Sequence, residues 1–348
     1  MRILLTGHNG YIGSVMLPLL KQAGHDVTNL DAGYYDACRF LPDEPAEKFT
    51  RRDLRDVTAA DLKGFDAVVH LAALSNDPIG NLRADWTRDI NYEGTIKLAE
   101  AAKKAGVKRF LFSSSCIMYG AAATVEVNED SPLAPSTEYA RSKVQAEEIL
   151  RGMASDGFSP IYIRNGTVYG VSPRMRFDTV LNNFVGQAVA TGKIIVFSDG
   201  EPWRPVMHVK DVSRTFIEYL NAPRETVHNQ AFNNGADHLN YRIRDLAKIA
   251  QDTVPNATLE VRGEASADQR SYKASFAKFR HTFPHFRFEF DAVAGAKELY
   301  EALTRLKVTD EVFQSAEFTR LKWLKRLLDS GQLDEQSLRW TKKASQAA

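Results

Sequence analysis

An apolar run, R-I-L-L-T, breaks at Gly7, and glycines recur at Gly10 and Gly13 before an apolar helical pattern runs on through Gln22. No other stretch constrains the fold so strongly. A buried strand must turn at once into a helix, and glycines at intervals of three let the turn lie close to whatever faces it. The free amides and positive dipole end at the start of such a helix favour an anion. The spacing is G-x-x-G-x-x-G, not G-x-G-x-x-G. By itself the loop therefore reads either as a phosphate cradle, with Tyr11 and Ile12 between the glycines, or as a tight turn.

Downstream the pattern repeats. H-D-V-T-N-L-D, D-A-V-V-H-L-A-A, K-R-F-L-F-S-S-S and S-P-I-Y-I-R-N-G read as strands, with helical stretches between them such as D-I-N-Y-E-G-T-I-K-L-A-E-A-A-K-K-A-G and T-E-Y-A-R-S-K-V-Q-A-E-E-I-L-R-G-M-A-S-D. Short apolar runs alternating with helices predict an α/β fold whose parallel sheet is covered on both faces. After about Gly170 the rhythm loosens into shorter strands, I-I-V-F-S-D, V-H-N-Q-A-F-N-N-G and A-T-L-E-V-R-G. The expected division is a nucleotide-binding unit over 1–170, to which later segments can return, a smaller lobe mainly over 171–307, and a helical extension over 308–348. In the extension, F-T-R-L-K-W-L-K-R-L-L-D-S-G-Q-L is amphipathic, and its Leu and Trp stripe is expected to pack on the body.

A net charge of +1 argues against a nucleic-acid or membrane surface. The two cysteines, Cys38 and Cys116, form no disulfide framework and no metal spacing, so no metal is expected. No apolar stretch approaches a membrane span, and M-R-I-L-L-T-G runs into the glycine loop instead of a leader cleavage site. A cytoplasmic setting follows.

Asp31 ends the second strand, where an acid can bind both ribose hydroxyls of adenosine and repel a 2′-phosphate. That favours NAD over NADP; a strand-end or capping role is the alternative. Asp53 and Leu54 are offered for the adenine edge. H-L-A-A-L brings Leu71, Ala72 and Ala73 against the cofactor, with Leu74 reaching the substrate side.

Tyr139 and Lys143 share one face at the start of a helix. A nearby ammonium favours tyrosinate, which can take a proton from a carbinol while hydride leaves the same carbon. The alternative is an exposed pair on an ordinary helix. The strand F-L-F-S-S-S ends in hydroxyls that could complete a Ser–Tyr–Lys site, or merely cap the strand.

With all four elements in this order, residues 1–300 or so resemble the extended short-chain dehydrogenase/reductase family, of the nucleotide-sugar epimerase and dehydratase type. The resemblance implies a Rossmann doubly wound sheet with a smaller α/β substrate lobe, NAD as cofactor, a nucleotide-diphosphate sugar as substrate, and a homodimer paired through the helices of G-T-I-K-L-A-E-A-A-K-K-A-G and of Tyr139. It assigns the pyrophosphate loop to Gly7, Gly10 and Gly13, the ribose acid to Asp31, and the adenine contact to Asp53 with Leu54. Asn91 matches the Asn of N-x-x-G-T. Ser115, Tyr139 and Lys143 match the catalytic set, while Ser113 and Asn165 fall on the cofactor side.

Departures narrow the subclass. Sugar 4,6-dehydratases carry acids directly after the catalytic Ser/Thr, whereas this chain has Cys116 and Ile117. Cys116 reads as a small apolar residue beside nicotinamide and substrate. Thr167 replaces an Asn expected near the substrate phosphates, and Asn182 and Asn183 lie where a substrate-side Asn is common. Arg204 falls at the diphosphate position, with Arg270 or Arg262 as the second cation. The first reading is an NAD-dependent epimerase acting at C4 through a transient keto sugar. A 4-ketoreductase or sugar dehydrogenase is the alternative, and a non-catalytic dinucleotide sensor is a distant third.

Overall fold

The computed structural model describes residues 1–348 except 42–48, 76, 122–125, 265–269 and 343–348. Its strands are β1 (Arg2–Thr6), β2 (Asp26–Asp31), β3 (Thr50–Arg51), β4 (Ala67–His70), β5 (Arg109–Ser115), β6 (Glu126–Val127) and β7 (Ser159–Asn165). They continue with β8 (Thr167–Tyr169), β9 (Lys193–Val196), β10 (Trp203–His208), β11 (Gln230–Asn234), β12 (Asn240–Arg242), β13 (Thr258–Val261) and β14 (Lys273–Ala274).

Seven strands form one sheet in the order β11-β7-β5-β4-β1-β2-β3, and every neighbouring pair is parallel. The period-2 alternation of β5 explains why both faces are covered. Phe110 and Phe112 join one core with Leu98, Leu150 and Tyr162. Leu111 joins the other with Ile3, Leu5, Ile163 and Phe216. The strand order reverses beside β1, which places a crevice at the carboxyl ends of β1 and β4.

The later strands build small sheets, β12-β10-β8, β13-β9 and β14-β6. β11, late in the chain, returns to the edge of the large sheet and pairs with β7. Leu181, Val185, Ile194, Leu246 and Leu299 make a separate core under the small sheets. The H-V-K-D segment is an anchor here. The His208 ring lies 2.7 Å from Glu298, and buried Asp211 accepts from the Glu289 and Phe290 amides.

The C-terminal segment crosses both bodies. Phe313 and Phe318 enter the core of the small lobe. Trp323, Leu324, Leu327, Leu333 and Leu338 join the core of the large sheet. Each such side chain contributes roughly 1.5–3 kcal/mol on burial. Among the described residues no helix is long and apolar enough to cross a membrane.

Candidate active site

The carboxyl ends of β1, β2, β5 and β7 and the loop after β4 open into one cleft of about 630 Å³. On its first wall lies the glycine loop. Gly7 has φ +75°, and a Cβ there would stand 2.6 Å from the Ala72 nitrogen. A Cβ on Gly13 would run into the Gly7 carbonyl and the His8 backbone. Both positions thus require glycine for close packing, while Gly10, Tyr11 and Ile12 line the cleft. The helix Gly13–Gln22 has no side-chain cap at Ile12 and no acid in its first turn, so no side chain competes with an anion at its start.

Asp31 accepts from Gly33 N at 2.7 Å and Asn9 N at 3.1 Å. Burial pushes its pKa up against the pull of those two amides. Asp36 stands nearby, receiving the Asn9 side chain at 3.0 Å and paired with Arg51 and Arg174. Asp53 lines the cleft with Leu54, yet its carboxylate is clasped by Arg55 at 2.6 and 2.9 Å. Burial opposes its charge, but the Arg55 bonds hold its pKa below the usual range. A glycine cradle, an uncapped helix and an acid beyond the second strand fit a dinucleotide.

Leu71, Ala72, Ala73 and Leu74 form the next wall. Asn91 does not reach the cleft. Fully buried, it accepts from Leu74 N at 2.8 Å and donates to Leu74 O at 3.0 Å, so it holds that wall in place. Gly94 of the same motif packs on Leu54, where a Cβ would come within 2.5 Å. His70 sits 2.8 Å from both the Thr6 and Thr95 hydroxyls. Burial, and then the Lys143 charge, push its pKa down to about 3, so it serves as a neutral brace.

Tyr139 lies in the first turn of the helix Glu138–Met153, which Thr137 caps by accepting from Ala140 N at 3.1 Å. Lys143 is only 3% exposed. Its Nζ donates to Ser113 O at 2.8 Å and lies 5.8 Å from the Tyr139 ring centroid. Ser115 lines the same wall, and its Oγ accepts from Ile117 N at 3.3 Å. Asn165 donates to the Ser113 hydroxyl at 3.2 Å. The structure thus brings Ser115, Tyr139 and Lys143 to one side of the cleft.

Burial lowers the Lys143 pKa to about 7, with Glu147 pulling it back upward. An unfolded lysine titrates near 10.4, so between about pH 7 and that value the unfolded chain binds more protons. Relative to a Lys143→Met variant, the natural protein is expected to gain stability as pH rises through this window, by at most about 1.4 kcal/mol per pH unit. Urea unfolding of both proteins at pH 6, 8 and 9 checks this; a constant difference counts against it.

On the far side stand Thr167, Arg204 and Arg270, all lining the cleft. Arg204 donates to Trp203 O at 2.8 Å and to Arg270 O. Cys116, Asn182, Asn183 and Arg262 do not line it. The Cys116 thiol donates to Arg164 O at 3.1 Å, and burial drives its pKa up, so it is a packed thiol. Asn182 is fully buried and ties Gly170 N, the Tyr11 hydroxyl and Arg176 O together. Asn183 donates to Phe177 O at 2.8 Å. Arg262 pairs with Glu260.

Tyr34, Tyr35, Arg176, Asp178, Tyr272 and Arg320 also line the cleft, and no sequence motif pointed to them. Two had a signal available. Arg176 lies in the V-S-P-R-M-R-F-D loop that follows Gly170, and Arg320 falls in register with Leu324 and Leu327 on the buried stripe of its helix.

The chain matches, over residues 3–235, the model of the NAD dependent epimerase/dehydratase family. The UDP-glucose 4-epimerase of Lactobacillus helveticus is 30% identical over 269 residues, covering 71% of this chain and 81% of that protein. The UDP-glucose 4-epimerase of Streptomyces lividans is 31% identical over 239 residues, covering 62% and 70%. Among solved structures, TunA, an NAD-dependent NDP-hexosamine 5,6-dehydratase involved in tunicamycin biosynthesis, matches with a TM-score of 0.77 at 25% identity, covering 87% of this chain and 98% of its own.

Proposed function

The chain belongs to the NAD-dependent epimerase/dehydratase family, with NAD as its cofactor, and within that family we propose that it is a nucleotide-sugar epimerase acting at C4. One observation carries the choice of reaction. The wall beside Ser115 holds Tyr139 and Lys143, but the residues that follow Ser115 are a packed thiol, Cys116, and Ile117. Among the described residues, the carboxylates lining the cleft are Asp31, Asp53 and Asp178. Asp53 is bound by Arg55, Asp178 by Arg176, and Asp31 ends β2. The two positions after Ser115 thus offer no acid to expel water from a sugar or to remove a carbon-bound proton. The cleft instead suits chemistry that needs only an exchangeable hydroxyl proton.

Bound NAD supplies the hydride acceptor and donor. Tyr139, as phenolate, takes the proton of the sugar C4 hydroxyl, and Ser115 hydrogen-bonds the same oxygen. The Lys143 ammonium stabilises the phenolate and is itself kept charged by it. For inversion, the keto sugar turns over while the nucleotide stays fixed, so that C4 regains its hydrogen on the opposite face while Tyr139 returns its proton to the C4 oxygen. Arg204 and Arg270 hold the nucleotide diphosphate by charge-assisted hydrogen bonds. The lobe built mainly from 171–307 seats the sugar nucleotide, and UDP-sugars are the first substrates to try, since the relatives include UDP-glucose 4-epimerases. A homodimer would pair through the helices Gly94–Ala105 and Glu138–Met153, where Ile149 is 43% exposed. Cys38 and Cys116 are free and buried, in keeping with a reducing cytoplasm.

Purified protein given UDP-glucose and related UDP-sugars in deuterated buffer, with no added cofactor, is expected to produce the C4 epimer without carbon-bound deuterium. Proton NMR reads both. Net formation of NADH would identify a dehydrogenase, and deuterium at carbon with loss of water a dehydratase; either result removes the epimerase reading.

A further inference from the structure

Arg320 opens the helix Arg320–Asp329, in the segment beyond the part of the chain that the family model matches. It lines the cleft while only 3% exposed. Its Nη2 donates to Arg174 O at 2.7 Å, and its guanidinium carbon lies 4.4 Å from the Tyr35 ring centroid. Its Nη1 is buried with no hydrogen-bond partner among the described residues. Asp178 receives the Arg320 backbone amide at 3.4 Å, but Arg176 already binds both oxygens of that carboxylate, at 2.8 and 3.2 Å. A buried guanidinium with an unused donor is costly unless an anion completes it.

The position of this group points to one anion. The Asn182 side-chain nitrogen binds both the Tyr11 hydroxyl, in the glycine loop, and Arg176 O, at 3.0 and 2.9 Å. Arg176 is thereby tied to the phosphate cradle, and Arg176 in turn binds Asp178, which receives the Arg320 amide. The segment that carries Arg320 also grips the loop after Asp31. Trp323 Nε1 donates to Tyr34 O at 2.7 Å, and Trp340 Nε1 donates to Ala32 O at 2.6 Å. We propose that Arg320, delivered by this C-terminal segment, binds the pyrophosphate of NAD, so that the extension is a structural part of the cofactor site. This rests on the cofactor and not on the C4 reaction, and turnover is not its readout.

Calorimetric titration of the full chain, freed of NAD, separates the outcomes, with NAD, ADP, adenosine and UDP as probes. Arg320→Met is expected to weaken NAD and ADP about 10- to 100-fold, as for the loss of a charge-assisted bond, and to leave adenosine and UDP unchanged. Arg320→Lys keeps the stem and charge but loses the fork, and is expected to recover part of the affinity. Equal weakening of adenosine would make Arg320 merely structural. Weakening of UDP with NAD intact would assign it to the substrate diphosphate. Unchanged NAD affinity would remove any ligand role. Each of these three results overturns the proposal. If the Met variant does not fold, the Lys variant alone decides: several-fold weaker NAD and ADP binding with adenosine unchanged supports the proposal, and unaltered NAD binding overturns it.

Discussion

Tyr139→Phe is expected to lower turnover by about 10²- to 10⁴-fold, the usual contribution of a positioned acid–base group, with NAD still bound. The substitution removes one oxygen and keeps the ring. Thr137 would still cap the helix, and Lys143 would still donate to Ser113 O at 2.8 Å. Loss of the rate therefore reports on the proton that the hydroxyl moves and not on the fold. Turnover measured by NMR, together with NAD content by mass spectrometry after denaturation, checks both halves. A variant that works at a tenth of the natural rate or better would mean that another group handles the proton.

Glu147→Ala is expected to cost about 3–5 kcal/mol of stability. Glu147 lies on the same helix as Tyr139 and Lys143, facing inward toward β7. Its two oxygens bind Arg164 at 3.1 and 2.7 Å, and both side chains are 3% exposed. Without the carboxylate, Arg164 keeps, among the described residues, the Tyr119 hydroxyl at 3.0 Å and Glu129 O at 3.2 Å, and its charge stays buried. Replacing both partners by apolar residues, Glu147→Leu with Arg164→Met, removes the stranded charge and is expected to cost less than the single change. Urea unfolding of the three proteins makes the comparison. A single variant within about 1 kcal/mol of the natural protein would show that water reaches Arg164.

This pair also shows where sequence reasoning stops. Tyr139 and Lys143 were legible because helical spacing puts them on one face, whereas Ser115 was singled out from Ser113 and Ser114 only by the family resemblance. Nothing in I-R-N-G-T announces that its Arg164 meets Glu147, one turn after Lys143. That pairing depends on how the helix Glu138–Met153 crosses β5 and β7. Asn91 and Asn182 show the same limit. Both are polar residues in motifs, yet the structure turns them to backbone groups behind the cleft wall, Asn91 to Leu74 and Asn182 to Gly170 and Arg176. A motif marks which residue type is needed and leaves open whether it faces a ligand or the backbone that faces the ligand.

Local geometry carries the most reliable part of a linear reading. A glycine with positive φ, a period-2 apolar strand or an i, i+4 pair is specified within a few residues of itself. The glycine loop, the order of strands and helices, and the Tyr139–Lys143 pair are of this kind, and with Asp31 they predict a parallel sheet with a dinucleotide cradle at its carboxyl edge. The return of β11 to the sheet edge joins residues 69 positions apart, and the grip of Trp323 and Trp340 on Tyr34 and Ala32 joins residues 289 and 308 apart. Such contacts depend on which surfaces remain uncovered once the two cores have formed. Only the folded chain decides them.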